Sequence, residues 1–84
     1  MFADINGAPH QIEALYYCGG EMKFRVHASH CRGMVFNEST LVGYGNKSHG
    51  QYHTTTLNKE FGETSYDSIE EALFWTAYNQ LQVL

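Results

Sequence analysis

The sequence predicts an α+β fold in which a four- or five-stranded antiparallel sheet packs against one C-terminal α-helix. Two observations support this. Runs of strand-forming residues separated by Gly-containing turns fill the chain up to residue 57, and a capped run without Gly or Pro begins at Ile69. With 84 residues, we expect one domain over residues 1–84 with a thin hydrophobic core.

The strongest strand signal is a β-hairpin over residues 12–28. Gly19-Gly20 stands between two β-rich runs, and a Gly pair suits a two-residue turn whose central residues need positive φ. This turn pairs Tyr17 with Met22 and Leu15 with Phe24. Because side chains alternate along a strand, the register predicts two faces. The core face carries Leu15, Tyr17, Met22, Phe24 and Val26, and the outer face carries Ile12, Ala14, Tyr16, Lys23, Arg25 and His27.

Further strands are predicted on both sides of the hairpin. Phe2 to Ile5 forms a short strand closed by an Asn6-Gly7 turn, and Gln51 to Leu57 is a strand rich in Tyr and Thr. Shorter candidates are Gly33 to Glu38 and Thr40 to Tyr44, and the glycines between Gly43 and Gly50 predict a loop.

The C-terminal helix has a clear start signal. Ser68-Ile69-Glu70-Glu71 fits a capping box, in which the Ser68 hydroxyl accepts a hydrogen bond from the Glu71 amide. Acidic residues in the first turn also suit the helix dipole. The run from Ile69 to about Gln82 contains no Gly or Pro. At 100° per residue, one apolar stripe of this helix faces the sheet. It consists of Ile69, Leu73, Ala77, Leu81 and Leu84, flanked by Phe74.

Composition narrows the cellular setting. No segment approaches 18 consecutive apolar residues, so no membrane-spanning helix is predicted. The N-terminus has neither a basic stretch nor a long apolar core, so no signal peptide is predicted. We therefore expect a cytoplasmic protein, in which Cys18 and Cys31 are free thiols.

Five His and two Cys raise the question of a metal site. In the predicted hairpin, Cys18 lies at the turn and His27 at the far end, about 20 Å away, so they cannot share one ion. Neither a C-x-x-C nor an H-E-x-x-H motif occurs. Nucleophile-elbow, phosphate-loop and dinucleotide motifs are absent as well. We therefore expect no metal, no cofactor and no catalytic residues, and thus a protein that is not an enzyme.

The residues that favour binding to another protein lie on and before the helix. Trp75 falls on the polar side of the helical wheel, where an exposed Trp is a candidate contact residue. The five acids from Glu60 to Glu71 occur without an intervening Lys or Arg, which favours a partner with a basic surface. The predicted protein-binding residues are Trp75, Glu71, Glu70, Asp67 and Glu63.

Two other functions stay open. The outer hairpin face would present Tyr16, Lys23, Arg25 and His27, and aromatic plus basic side chains on a sheet can bind nucleic acid. A net charge of −4 disfavours that partner. A homo-oligomeric structural or ligand-binding protein, for example a homodimer, is the third function, because only 17% of the residues are charged.

Two resemblances add to these expectations. Phe61-Gly62, the run from Tyr66 to Ala72, and Tyr78 resemble the end of three-stranded, one-helix DNA-binding domains of the integrase arm-binding type, which implies strands followed by a capped helix. The Arg-rich strands of those domains are missing here. The whole short, acidic, cysteine-poor chain is similar in kind to small phage-encoded inhibitors of host proteins, including anti-CRISPR proteins. That resemblance implies an inhibitor or adaptor that blocks a host protein or complex sterically.

Overall fold

Tight turns reverse the chain between neighbouring strands. Asn6 and Gly7 (φ 55° and 77°) and His49 and Gly50 (φ 54° and 78°) all adopt left-handed backbone, which Asn and Gly tolerate and which suits two-residue hairpin turns. The first pair confirms the predicted strand Phe2–Ile5 and its Asn6-Gly7 turn. The computed structural model describes residues 1–17, 20, 22–32, 35–36, 39–58 and 63–81, with the backbone alone at residues 31, 32, 35 and 36.

The strands form an antiparallel sheet in the order β1-β2-β3-β5-β6-β7, and the short β4 pairs with the far end of β3. The elements are β1 (Phe2–Ile5), β2 (Ala8–Tyr17), β3 (Lys23–Arg32), β4 (Val35–Phe36), β5 (Thr40–Ser48), β6 (Gln51–Thr56), β7 (Glu63–Tyr66) and α1 (Ile69–Leu81). The α+β class is confirmed. The expected four or five strands were too few, because β7, a mostly polar edge strand, is added to the sheet.

The predicted register of the hairpin is wrong by one residue. Tyr17 pairs with Lys23 and Tyr16 pairs with Phe24, so five residues rather than two separate the strands. Gly19 of the predicted turn lies outside the described residues. Because side chains alternate, this slip moves every β2 side chain to the opposite face. Ile12 is therefore fully buried, whereas Leu15 is 46% exposed.

The two faces of the hairpin change accordingly. On β3, the prediction holds for Phe24 and Val26, which are buried. Met22 precedes β3 and is 58% exposed, so it does not belong to the core. On β2, the side chains on the helix side are Ile12, Ala14 and Tyr16, and those on the opposite side are Leu15 and Tyr17.

Strand β5 continues through the segment predicted to be a loop. Gly43 and Gly45 are both buried within it. A Cβ atom on Gly43 would lie 2.6 Å from the Thr55 carbonyl oxygen, and one on Gly45 would overlap the Phe24 ring. These glycines thus permit close contact with neighbouring atoms rather than a turn. A β-bulge beside them, between Val26 and His27 on β3, shifts the register.

Helix α1 covers one face of the sheet. Leu73 and Ala77 join the core with Ile5, Ile12, Phe24, Val26, Ala28 and Val42, and Ile69 and Leu81 pack against it. Leu84 of the predicted stripe lies outside the described residues. The Thr76 hydroxyl donates to the Ala72 carbonyl at 2.6 Å and shares a second 2.6 Å hydrogen bond with Thr54 of β6. This buried pair satisfies polar groups at the helix–sheet contact. Within the described residues, no helix is long and apolar enough to cross a membrane.

The helix begins at its predicted cap. The Glu71 amide donates to the Ser68 Oγ atom at 3.2 Å. We expect Ser68→Ala to lower the free energy of unfolding by about 1 kcal/mol, because the amide loses its acceptor. Thermal denaturation should then show a melting midpoint lower by roughly 4–8 °C. Ser39→Ala, at an exposed position outside any strand or helix, is the control, and equal midpoints for both variants would contradict the cap.

Candidate protein-binding surface

Three aromatic side chains cluster on α1. The Trp75 ring packs edge-on against Phe74 (centroids 5.0 Å apart) and against Tyr78 (5.4 Å), while Phe74 and Tyr78 stack at 5.7 Å. Their positions in the chain put them on adjoining turns of one helix. Trp75 is 42% exposed despite these contacts. We call Phe74, Trp75 and Tyr78 the aromatic cluster.

Sequence reasoning identified only part of this cluster. Phe74 was expected only at the flank of the core stripe, and Tyr78 was not named as a contact residue. Both are partly buried, and Tyr78 also packs against the core. The signal was available, because aromatic residues three and four positions apart lie side by side on a helix. Their mutual packing limits the rotamers of Trp75, so a partner would meet a preformed surface.

The predicted acidic residues divide between two faces of the molecule. Glu70 and Glu71 are exposed in the first turn of α1. Glu71 lies one helical turn from Trp75, about 5–6 Å between Cβ atoms. Asp67 precedes the helix, and its carboxylate accepts a hydrogen bond from the Gln51 side chain at 3.3 Å. These three acids border the N-terminal end of the aromatic cluster.

Glu63 lies elsewhere. It pairs with Thr55 at the end of β7 and lines a depression on the sheet surface that α1 does not cover. The alternation of side chains along a strand explains the position of Glu63. Its neighbour Thr64 pairs with Thr54, which is buried beneath the helix. Glu63 therefore points to the opposite side of the sheet. Glu63 therefore cannot act together with Trp75 on one surface.

Tyr66, the last residue of β7, lies near the helix start. Burial raises the pKa of its hydroxyl above the ordinary value of 10.0, because desolvation disfavours the phenolate. Hydrogen bonds with Thr64 and Thr54 lower the pKa, and the charge of Glu71 raises it. The hydroxyl therefore stays neutral at pH 7, and the negative charge near the cluster comes from carboxylates.

The side of the sheet that α1 does not cover carries the predicted nucleic-acid-binding residues, except that Tyr17 replaces Tyr16. We call this side the open face; it presents Leu15, Tyr17, Lys23, Arg25, His27, Tyr44, His53 and Thr55. Tyr16 is not on it, because its ring packs 5.6 Å from the buried Phe24 ring on the helix side. Tyr17 takes that place, with the Arg25 guanidinium 4.6 Å above its ring.

A shallow depression of about 180 Å³ lies on the open face. Its lining mixes aromatic, basic, acidic and neutral polar side chains: Tyr17, Lys23, Tyr44, Asn46, His53, Thr55 and Glu63, together with Gly45. Nδ1 of His53 lies 2.7 Å from the Ser65 hydroxyl, which ties β6 to β7. A polyanion approaching Lys23 would also meet the Glu63 carboxylate, so this lining favours no single sign of charge.

The histidines do not converge in the part of the chain that the structure describes. His10 and His30 stack with ring centroids 5.1 Å apart, but among the described residues no group of three or more His, Cys, Asp or Glu could hold a metal ion. Cys18 and the Cys31 side chain lie outside the described set, so the expected free thiols and the expected absence of metal stay predictions. They would be checked by thiol titration and elemental analysis.

Comparisons with known proteins give no match to a family model, to a curated protein or to a solved structure.

Proposed function

We propose that this protein is a non-enzymatic inhibitor or adaptor that binds a partner protein through the aromatic cluster of α1 and the adjoining acids. The observation that carries this proposal is the 42% exposure of Trp75 within a packed group of three aromatic rings. Trp and Tyr dominate the energetics of protein interfaces, because they bury large apolar areas at a low cost in rotamer entropy.

The geometry around Trp75 supports binding rather than packing within the chain. The buried residues of α1 are Ala72, Leu73, Thr76 and Ala77, so the helix meets the sheet through a different side. Trp75 is held by neighbours on its own helix, and a partner would restrict its rotamers little further. Preorganisation of this kind lowers the entropic cost of association.

The charges indicate the kind of partner. Helix α1 carries Glu70 and Glu71 in its first turn and neither Lys nor Arg in its sequence, and Asp67 adds a third carboxylate nearby. A partner should therefore offer an apolar pocket for Trp75 with basic groups beside it. Opposite charges at the rim would steer the encounter and set its orientation more than they raise affinity.

The biological setting that we propose is inhibition by occupancy. A small acidic domain without a recognised catalytic motif can block a larger host protein or complex by covering its working surface, as phage anti-defence proteins of the anti-CRISPR kind do. The partner would be a cytoplasmic protein with a basic functional surface. Such a surface is typical of proteins that handle nucleic acid.

A capture experiment with matched variants tests the proposal. Tagged wild-type protein is incubated with nuclease-treated lysates of candidate bacterial hosts, in parallel with Trp75→Ala and Tyr44→Ala. Tyr44 is 44% exposed but lies on the open face, so it matches Trp75 in exposure and differs in location. We expect one protein to be retained by the wild type and by Tyr44→Ala and lost by Trp75→Ala. Equal retention by Trp75→Ala would contradict the proposed surface.

A further inference from the structure

The open face is a second large surface that the described chain leaves uncovered. Antiparallel pairing arranges its side chains in rows across the strands. One row contains Tyr17, Lys23, Asn46, His53 and Ser65, and the next contains Leu15, Arg25, Tyr44, Thr55 and Glu63. Leu15 is 46% and Tyr44 44% exposed. Exposed apolar side chains in the middle of a sheet face are typical of a surface that another molecule covers.

The charges on this face are arranged to complement themselves. Along the β2–β3 pair, Lys23 and Arg25 occupy one end, and Glu13, paired with His27, occupies the next row. Rows are separated by two residues, about 6.6 Å along the strand. A two-fold axis that lies in the plane of the face and runs across these strands, between the Arg25 row and the Glu13 row, places Arg25 of one copy over Glu13 of the other. The symmetry makes this contact twice, once from each copy.

The size of the face fits a stable dimer. The six strands of the sheet are four to ten residues long. At about 3.3 Å per residue and about 4.8 Å between strands, they give a footprint of roughly 700 Å². Each partner of a standard-size interface contributes about 800 Å². Two such sheets can pack face to face as a sandwich with the helices outside.

From these observations we infer that the protein forms a two-fold symmetric homodimer through the open face, with Arg25 of each copy over Glu13 of the other. A second copy fits better than nucleic acid, because Glu13 and Glu63 oppose phosphates, whereas Glu13 complements Arg25 of the second copy. The dimer leaves the aromatic cluster accessible, since α1 lies on the other side of the sheet. It is therefore independent of the function proposed above.

Charge reversal on each side of the interface provides the test. Sedimentation velocity at about 100 μM should give twice the chain mass of 9.6 kDa for the wild type. Arg25→Glu places an acid opposite Glu13 of the second copy, and Glu13→Arg places a base opposite its Arg25. We expect each variant alone to be monomeric, or to dissociate at least tenfold more readily, and an equimolar mixture of the two to form a 1:1 heterodimer.

The controls separate the alternatives. Circular dichroism verifies that both variants fold, and Leu15→Glu serves as a second interface variant if either one does not. Trp75→Ala should leave the dimer intact. Three results would overturn the inference: a monomeric wild type, a dimer that only Trp75→Ala dissociates, or micromolar binding of a 20-nucleotide single strand that Arg25→Glu abolishes.

Discussion

Phe24→Ala should reduce the free energy of unfolding by about 3–5 kcal/mol, the usual cost of removing a buried aromatic side chain. Among the described residues, Phe24 is the largest fully buried side chain, and its ring is adjacent to Gly45, Tyr16 and Tyr52. A small domain has about 5–15 kcal/mol of stability in total, so the variant should be marginally folded at 37 °C. Urea denaturation followed by circular dichroism measures the difference.

Phe2→Ala is the matched control, because the same substitution occurs at a side chain that is 67% exposed on the edge strand β1. Its effect should stay within about 0.5 kcal/mol, as for most surface changes. If the two variants lose similar stability, the burial of Phe24 between α1 and the sheet is not what holds the fold together.

Trp75→Ala should weaken partner binding by about 2 kcal/mol or more, roughly 30-fold in dissociation constant, because the partner loses its central aromatic contact. Calorimetric titration with the captured partner measures this change. Thermal stability should change little, because within the described residues the Trp75 ring packs against the rings of its helix neighbours Phe74 and Tyr78 and stays 42% exposed. A Trp that belonged to the core would instead cost about 3–5 kcal/mol of folding stability on truncation.

Fluorescence gives an independent check, because the chain contains a single Trp. Emission close to that of water-exposed indole in the free protein, followed by a blue shift on adding the partner, agrees with the proposed contact. Strongly blue-shifted emission from the free protein, at a concentration where it is monomeric, would place Trp75 in the core and contradict it.

The sequence was sufficient for the helix and for one strand of the hairpin. The capping box located the start of α1 at Ile69, and Phe24 and Val26 alternate with charged residues so clearly that only one face of β3 can be buried. Strand β2 is ambiguous, because Ile12, Ala14 and Tyr16 compete with Leu15 and Tyr17. The prediction of which β2 side chains face the core then depended on the length of the turn. Because side chains alternate between the two faces at every residue, an error of one residue in the register exchanges the faces.

The glycines of β5 led to the wrong prediction of a loop. Gly is the strongest local turn signal, yet Gly43 and Gly45 lie in a strand because any side chain there would collide with β6 or with Phe24. That constraint is created by tertiary contacts and leaves no trace in the local sequence. The polar strand β7 was missed because an exposed edge strand needs few apolar residues.

The candidate site was only partly accessible from the sequence. Helical geometry alone placed Trp75 beside Glu71, since residues four apart share a surface. Glu63 seemed to belong with them because it is close in the chain, but strand alternation turns it to the other face. The exchange of Tyr16 for Tyr17 follows from the same register error in β2.

The sheet order also governs how the chain folds during synthesis. Apart from β4, which pairs only with β3, each strand of the sheet pairs with the strand that follows it in the chain. Hairpins can therefore form one after another while the ribosome is still extending the chain. Closing such short loops costs little entropy. The helix, however, is made after all these strands. Until it docks, the apolar side of the sheet stays exposed. We therefore expect chaperones to bind nascent chains that are truncated before residue 69, because these chains lack the helix.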